Sequence, residues 1–250
     1  MGDAITAAWA TDGLIWLFGI ALLAGLVRGF AGFGSAMIYM PLASTILPPV
    51  TALATMVIFD VIGPLPNVPR AWREGRRAEV KLLVMGAAIG LPLGLWVLTR
   101  LPPEPFRWAV SLVVLGLLAV LLTGWRYGGP RGRPVIFGTG MIGGGLAGST
   151  GLAGPPVVLL YVAGRDREAV IRANMILYLF FGDLVTVALL FGTGLVAGPT
   201  LALGLMLAPV YLGGNVLGAW IFHKEAERFY RRVAYLLIAG SAVLSLPLFS

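Results

Sequence analysis

Long apolar runs separated by short charged loops dominate the pattern of this chain. Each uncharged run is close to, or longer than, the ~18–20 residues that a helix needs to cross a lipid bilayer. These runs are residues 82–99, 108–125, 135–164, 184–222 and 233–250. The pattern predicts an all-α polytopic membrane protein, in which most of the chain lies within the membrane.

Two apolar segments are interrupted by glycine-rich breaks in corresponding places, at 25–43 and at 145–163. A break in a membrane helix removes the internal partners of backbone polar groups, and hydrocarbon offers no replacement. Such breaks are stable only around a polar cavity or inside protein, and in transporters that cavity holds the substrate. The two breaks therefore predict a duplicated membrane transporter.

The duplication extends beyond the breaks. Gly90, Gly94 and Trp96 recur as Gly214, Gly218 and Trp220, and the GxxxG spacing in both copies is typical of close helix packing. We predict one repeat over 1–125 and a second over 134–250, joined by a cytosolic linker at 126–133. The predicted elements are a broken segment 13–47 with helices 51–69, 79–99 and 106–125, then a broken segment 134–163 with helices 168–191, 199–221 and 232–249.

The loop charges favour an inverted arrangement of the two repeats. If each broken segment enters the membrane and returns, every repeat crosses three times, the second repeat is upside down, and both termini lie outside. The arms of each segment, about 13–15 residues apiece, are short for a crossing and fit a re-entrant hairpin. Of the basic residues in loops, only Arg100 and Arg107 then lie outside, in agreement with the positive-inside rule that concentrates Lys and Arg in cytoplasmic loops. The inside set is Arg70, Arg73, Arg76, Arg77, Lys81, Arg126, Arg131, Arg133, Arg165, Arg167, Arg172, Lys224, Arg228, Arg231 and Arg232. The alternative is that each broken segment forms a tilted pair of short membrane spans instead of a hairpin.

Arg28 is the one basic residue outside these loops, and it immediately precedes the first break. A charge at that depth costs ~2.5 kcal/mol or more unless water, a counter-ion or a ligand meets it. A guanidinium matches the oxygens of sulfonate, sulfite, phosphate or carboxylate, so we predict an anion anchor. A structural ion pair is the alternative.

The breaks supply a second device for binding anions. Glycine permits close backbone approach, and the helix that follows a break directs unpaired amide groups and a positive dipole end at the cavity. If the halves are inverted, both helix starts can approach one central site. Close helix packing is the alternative role of these glycines. The candidate residues are Gly29, Gly32, Gly34 and Ser35 in the first break and Ser149, Thr150, Gly151 and Gly154 in the second.

Two carboxylates occupy matching places in the repeats, Asp60 in helix 51–69 and Asp183 in helix 168–191. Intramembrane aspartate is costly, so we predict either a proton carrier or an ion-pair partner for Arg28. Asn67, Asn174 and Asn215 are further amides that either line the path or hydrogen-bond to a neighbouring helix. Asn174 and Asn215 join the candidate substrate-binding residues.

Composition narrows the function further. Hydrophobic residues make up 58% of the chain and charged residues 12%, and cysteine is absent, which excludes thiolate catalysis and sulfur-ligated metal sites. The residues 147–151 faintly resemble a nucleophile elbow, so an intramembrane hydrolase using Ser149 and His223 is the enzyme alternative. We expect no catalytic residues, no metal site, no cofactor and no nucleic-acid partner.

Four stretches together resemble the TauE/SafE sulfite exporter family of bacterial membrane proteins. They are the glycine-rich break 29–35, the GxxGPP element 151–156, WREGRRAEVKLL at 72–83 and GLPLGLWVLTRLPP at 90–103. Family members commonly have adjacent glycines in the first break, whereas this chain has Phe30 and Phe33 there. That departure implies a smaller or more apolar cavity.

The resemblance implies a secondary transporter that moves sulfite or organosulfonates across the bacterial inner membrane, with export as the expected direction. Its expected partners are a small anion and the lipid bilayer. Proton coupling, a passive anion channel of the same architecture, and a homodimer are left open.

Overall fold

The computed structural model describes residues 2–32, 34–123, 127–162, 166–221 and 227–248. These residues form α-helices and one 3₁₀ turn, with no β-strand among them. The helices are α1 Gly2–Trp9, α2 Leu14–Ala31, α3 Ser35–Ala43, α4 Pro49–Ile62, α5 Val68–Glu74, α6 Arg77–Leu98, α7 Pro103–Leu122, α8 Arg133–Thr150, α9 Gly154–Val162, α10 Glu168–Gly192, α11 Gly198–Ile221 and α12 Glu227–Ser245.

Within the described part of the chain, five helical segments are long and apolar enough to cross a membrane, and a bent pair formed by α1 and α2 raises the number to six. The prediction of an all-α polytopic membrane protein is confirmed. The five are Pro49–Glu74, Arg77–Leu98, Pro103–Leu122, Glu168–Gly192 and Gly198–Ile221.

The helices differ from the predicted ones in two details. α4 ends at Ile62, where Gly63 and Pro64 follow, and a 3₁₀ turn over Leu65–Asn67 joins it to α5 within the single helical segment Pro49–Glu74. The arms of the broken segments are also unequal. Each has a first arm of 18 residues and a second arm of 9 residues, rather than two arms of similar length. At 1.5 Å per residue, a first arm is about 27 Å long, close to the thickness of the hydrocarbon layer.

The chain folds into two compact units that do not follow the sequence repeats. One unit contains α1–α3, most of α4 and α7, and α11 and α12. The other contains the end of α4, α5, α6 and α8–α10. Each unit therefore combines a broken segment from one half of the sequence with a GxxxG helix from the other half.

In the first unit, α2 packs along α11 through glycine. A side chain at Gly25 would overlap the carbonyl oxygen of Tyr211, and one at Gly214 would overlap that of Leu22. Close helix packing, the interpretation given to the GxxxG pair at 214 and 218, is confirmed. An aromatic cluster fills the core beside this seam, with the rings of Phe59 and Tyr211 4.5 Å apart.

In the second unit, α6 packs along α8 in the same way. Gly86, Gly90 and Gly94 of α6 meet backbone of α8, where a side chain would overlap carbonyl oxygens. Gly140, Gly144 and Gly148 of α8 return the contact against α6. The packing role of Gly90 and Gly94 is therefore confirmed as well. The core of this unit is closed by Tyr161 of α9 and Tyr178 of α10, both 1% exposed.

Candidate functional site

The first break lies between α2 and α3. Gly32 and Gly34 adopt φ angles of 76° and 95°, a left-handed conformation that glycine reaches without steric cost. The amide of Gly32 closes α2 by donating to the carbonyl of Arg28. A residue with a side chain would be strained at either position, so glycine is the residue that fits both. Phe33 lies outside the described residues.

The Arg28 side chain reaches across this break. Its Nη1 donates a hydrogen bond to Oγ of Ser35, 3.2 Å away, and Ser35 is the first residue of α3. Arg28 is half-buried and Ser35 is 2% exposed. A guanidinium and a helix N-terminus, both of positive sign, are thus held next to each other. Each of them would stabilise a negative charge placed nearby.

Gly29 and Asn215 meet in the seam between α2 and α11. A side chain at Gly29 would overlap the backbone carbonyl of Asn215, so Gly29 allows these helices to approach closely. For Gly29, the structure supports the packing alternative. Asn215 contributes backbone to the same seam, and its side chain is partly exposed.

The second break follows α8 in the second unit. Gly151 adopts a φ of 79°, and its amide donates to carbonyls of the last turn of α8. Ser149 Oγ and Thr150 Oγ1 each donate, at 2.8 Å, to the carbonyl four residues earlier in the same helix. Their hydroxyl protons are therefore used within α8, which leaves oxygen acceptors rather than donors.

The start of α9 differs from the start of α3. Gly154 opens α9, and Pro155 and Pro156 follow it in the first turn. Proline has no amide hydrogen, so this turn offers fewer donors to an anion than the first turn of α3, which contains no proline. The first break therefore offers more backbone donors than the second.

Asn174 is completely buried in the second unit and holds three elements together. Its Nδ2 donates to the Tyr161 hydroxyl at 2.9 Å, and its Oδ1 accepts from the Arg76 amide at 2.7 Å. The Tyr161 hydroxyl in turn donates to Glu79 Oε2 at 3.0 Å. These bonds join α9, α10 and the start of α6. Of the two roles considered for Asn174, the structure therefore supports hydrogen bonding to neighbouring helices. Asn67 lies in the exposed 3₁₀ turn.

Charged side chains extend this network, and no sequence pattern singled them out as a group. Arg76 pairs with Glu79 at 3.0 Å and with Asp166 at 2.5 Å, and Arg131 pairs with Asp166 at 2.5 Å. The hydrogen bond to Glu79, assisted by the charges of Asp166 and Glu79, raises the pKa of Arg76 above its ordinary value. Only the high density of charges at 70–81 and 165–172 could have suggested such pairing.

Asp60 and Asp183 are both buried, at 5% and 9% exposure. Asp183 lies within the continuous helix α10, whereas Asp60 is in the last turn of α4, just before the interruption at Gly63 and Pro64. The two carboxylates therefore occupy different local backbones despite their matching places in the sequence. Burial of each makes it a costly charge.

Some candidate residues lie outside the described part of the chain. His223, the partner of Ser149 in the hydrolase alternative, is one of them, as are Arg126, Arg165 and Lys224. Ser149 itself is bonded to its own helix, as described above. Among the described residues, no cluster of histidine, cysteine or carboxylate side chains has the geometry of a metal site.

These features define a polytopic α-helical membrane transporter with helices broken at glycine. The chain belongs to the Sulfite exporter TauE/SafE family, whose model matches residues 17–244. The resemblance identified in the sequence is confirmed, and membership in a transporter family excludes the hydrolase alternative.

A relative from Comamonas testosteroni, described as "Probable inner membrane transporter protein TsaS", is 28% identical over 199 residues. The matched region covers 76% of this chain and 81% of that protein. No solved structure matches the chain.

Proposed function

We propose that this protein is a secondary transporter that exports small sulfur-containing anions, of the sulfite or organosulfonate class, across the bacterial inner membrane. The observation that carries the proposal is the hydrogen bond between the Arg28 guanidinium and Ser35 at the start of α3. The family's description, sulfite exporter, supports the substrate class. The description of the Comamonas testosteroni relative supports the inner membrane as its location.

The first break has the chemistry that an oxyanion requires. The start of α3 directs the positive end of a helix dipole at the break. The backbone at Gly32 is uncovered, since a side chain there would meet nothing within 4 Å. A sulfite or sulfonate group has several oxygens in a compact arrangement, which suits a forked guanidinium and a helix start together. We assign Arg28, Gly32, Gly34 and Ser35 to substrate binding.

The second break has a different role in this proposal. With its hydroxyls bonded to α8 and two prolines opening α9, it supplies few donors. We propose that Ser149, Thr150, Gly151 and Gly154 form a flexible backbone element on the transport path, which changes conformation rather than binding the anion tightly. Asn215 is a polar position beside the α2 seam in the first unit.

Asp60 and Asp183 are the proposed coupling residues. A buried carboxylate that takes up and releases a proton can link anion movement to a proton gradient without leaving an isolated charge in hydrocarbon. Asp183 lies on a helix of the second unit, and Asp60 lies in the short end of α4 with which that unit begins. The transport cycle proposed here therefore binds the anion at the first break and the proton at Asp60, Asp183 or both.

The proposed architecture is a pair of inverted repeats, with the loop 70–81 inside and both termini outside. Two arguments support it. This arrangement satisfies the positive-inside rule, and the two halves exchange partners reciprocally. In that exchange, the broken arm of each half packs along the GxxxG helix of the other half, α2 with α11 and α8 with α6.

Transport into proteoliposomes tests the function. Purified protein is reconstituted, and accumulation of sulfite, sulfoacetate, thiosulfate, phosphate and acetate is compared with and without an imposed pH gradient. Gradient-driven accumulation of the sulfur oxyanions above equilibrium supports the proposal. Equilibration without accumulation would assign the protein as a passive channel, and transport restricted to carboxylates or phosphate would overturn the substrate class.

A further inference from the structure

A groove on the second unit lies apart from the breaks and has no role in the proposed transport cycle. It is formed by α5, α6 and α10 and has a volume of about 300 Å³. Its lining consists of apolar side chains with two cations, namely Trp72, Arg77, Val80, Lys81, Val84, Met85, Leu177 and Phe181. Trp72 and Met85 are 43% and 48% exposed, so the groove is open at the protein surface.

The groove crosses the boundary between a charged and an apolar region. Lys81 is the last charged residue of α6, and residues 82–99 carry no charge. Tryptophan at such a boundary is typical of the membrane interface, where its ring contacts hydrocarbon and headgroups. Val84 and Met85 therefore lie on the membrane side of the groove, and Arg77 and Lys81 lie at its polar end.

The two cations of the groove differ from their neighbours. Arg70 pairs with Glu74 and Arg76 pairs with Glu79, whereas Arg77 and Lys81 form no ion pair among the described residues. Arg77 Nε donates to the Trp72 carbonyl at 3.1 Å, and its guanidinium lies 4.9 Å from the Trp72 ring centre. This contact fixes the guanidinium at the polar end of the groove.

We propose that this groove binds an anionic phospholipid. The phosphodiester would lie between Arg77 and Lys81, and part of one acyl chain would lie along Val84, Met85 and Phe181. Charge complementarity selects an anionic lipid over a zwitterionic one, because each Lys or Arg near the surface of an anionic membrane contributes attraction. The apolar wall accounts for a lipid rather than a free phosphate ion. The proposal is independent of the transported solute.

Native mass spectrometry of the delipidated protein tests the site with defined lipids. Palmitoyl-oleoyl phosphatidylglycerol is titrated against palmitoyl-oleoyl phosphatidylcholine. The wild type is expected to retain phosphatidylglycerol preferentially. The double variant Arg77→Gln, Lys81→Gln is expected to bind it about 30-fold more weakly, since each cation contributes a factor of about five. Inorganic phosphate is expected to leave phosphatidylglycerol binding unchanged.

A matched control removes the same charge elsewhere. Arg73 and Arg100 are exposed and do not line the groove, so the double variant Arg73→Gln, Arg100→Gln is expected to bind like the wild type. Met85→Trp keeps both cations but fills the groove from an exposed position, and it is expected to lose lipid binding. Size-exclusion chromatography establishes that each variant is folded.

Three results would overturn the proposal. They are equal binding of both lipids, unchanged phosphatidylglycerol binding in the Arg77 and Lys81 variant, and an equal loss in the Arg73 and Arg100 control. A wild-type dimer that dissociates on Met85→Trp, without lipid preference, would assign the groove to a second copy of the chain.

Discussion

Arg28 and Ser35 are hydrogen-bonded across the first break, with 3.2 Å between Nη1 and Oγ. The contact links the last turn of α2 to the first residue of α3, so the two arms are connected by side chains as well as by the glycine turn. The carbonyl end of α2 favours a cation, whereas the amide end of α3 disfavours one. An anion bound at this point would offset the unfavourable interaction between the guanidinium and the amide end of α3.

Replacement of Arg28 therefore tests anion recognition directly. Arg28→Gln is expected to lower kcat/KM for sulfite by about 10- to 150-fold, the equivalent of one lost charge-assisted hydrogen bond of about 1.5–3 kcal/mol. Arg28→Lys keeps the charge but loses the forked geometry, so an intermediate loss is expected. Initial rates in proteoliposomes measure both variants.

Arg100→Gln provides the control for this experiment. Arg100 is exposed, and its guanidinium stacks on Trp96 with 4.4 Å to the ring centre. The variant is expected to transport like the wild type. If Arg28→Gln also transports at the wild-type rate, Arg28 is a structural residue and the anchor is elsewhere.

The sequence predicted the main features of the fold because they depend on local signals. Apolar run length predicts membrane helices, and glycine clusters predict breaks and close packing. The pairing of α2 with α11 and of α6 with α8 was not predicted, because a glycine face indicates a close neighbour without identifying it. Likewise, the amide of Asn174 indicated a polar contact, but only the fold identifies Tyr161 and the Arg76 amide as its partners.

The candidate site was predicted unevenly for a similar reason. The motif at the first break predicted a role for Arg28 and Ser35, and the structure shows that the two side chains are hydrogen-bonded to each other. At the second break, the equivalent motif was given the same role, although the hydroxyls of Ser149 and Thr150 donate within α8. Such i−4 bonding competes with ligand binding and cannot be read from residue type alone.

In the seam between α6 and α8, two adjacent glycines are expected to respond differently to replacement by alanine. A side chain at Gly144 would overlap backbone of Ala87, whereas one at Gly145 has as its nearest neighbour the Gly90 carbonyl, 3.9 Å away. Gly144→Ala is expected to destabilise the protein by about 1–3 kcal/mol through overpacking, and Gly145→Ala is expected to be tolerated. Thermal unfolding in detergent measures both. Equal unfolding temperatures would contradict the close packing.

The seam between α2 and α11 offers an independent version of the same experiment. Gly214 faces the backbone of Leu22, and Gly213 faces open space. Gly214→Ala is expected to lower the yield of monodisperse protein, and Gly213→Ala is expected to leave it unchanged. A loss in both variants would show that general helix effects, rather than this contact, are responsible.

Asn174 is expected to affect stability rather than substrate affinity. Asn174→Leu preserves volume but leaves the Arg76 amide and the Tyr161 hydroxyl without their buried partner, a loss of about 1–3 kcal/mol. The unfolding temperature should therefore fall while the KM of the folded fraction stays unchanged. Asn67→Ala, in the exposed turn, is the neutral control. A raised KM with unchanged stability would return Asn174 to the substrate-binding residues.

The proton-carrier proposal is tested by Asp60→Asn and Asp183→Asn, which keep size and hydrogen-bonding capacity but remove the titrating group. At least one variant is expected to lose accumulation driven by a pH gradient while still exchanging labelled anion across the membrane. Asp12→Asn, at an exposed position, is the control. Gradient-driven accumulation that persists in both buried variants would exclude a coupling role for these residues.

The inverted topology can be tested by cysteine labelling without first removing native cysteines, because the sequence contains none. Single cysteines replace exposed residues, and labelling with an impermeant maleimide is compared between intact and permeabilised cells. Asp12→Cys is expected to react in intact cells, whereas Arg73→Cys, Gly129→Cys and Arg167→Cys are expected to react only after permeabilisation. If each broken segment crossed once, Asp12 and Arg73 would share a side, and Gly129 and Arg167 would lie on opposite sides. That labelling pattern would overturn the inverted arrangement, because an even number of crossings per repeat leaves both repeats facing the same way.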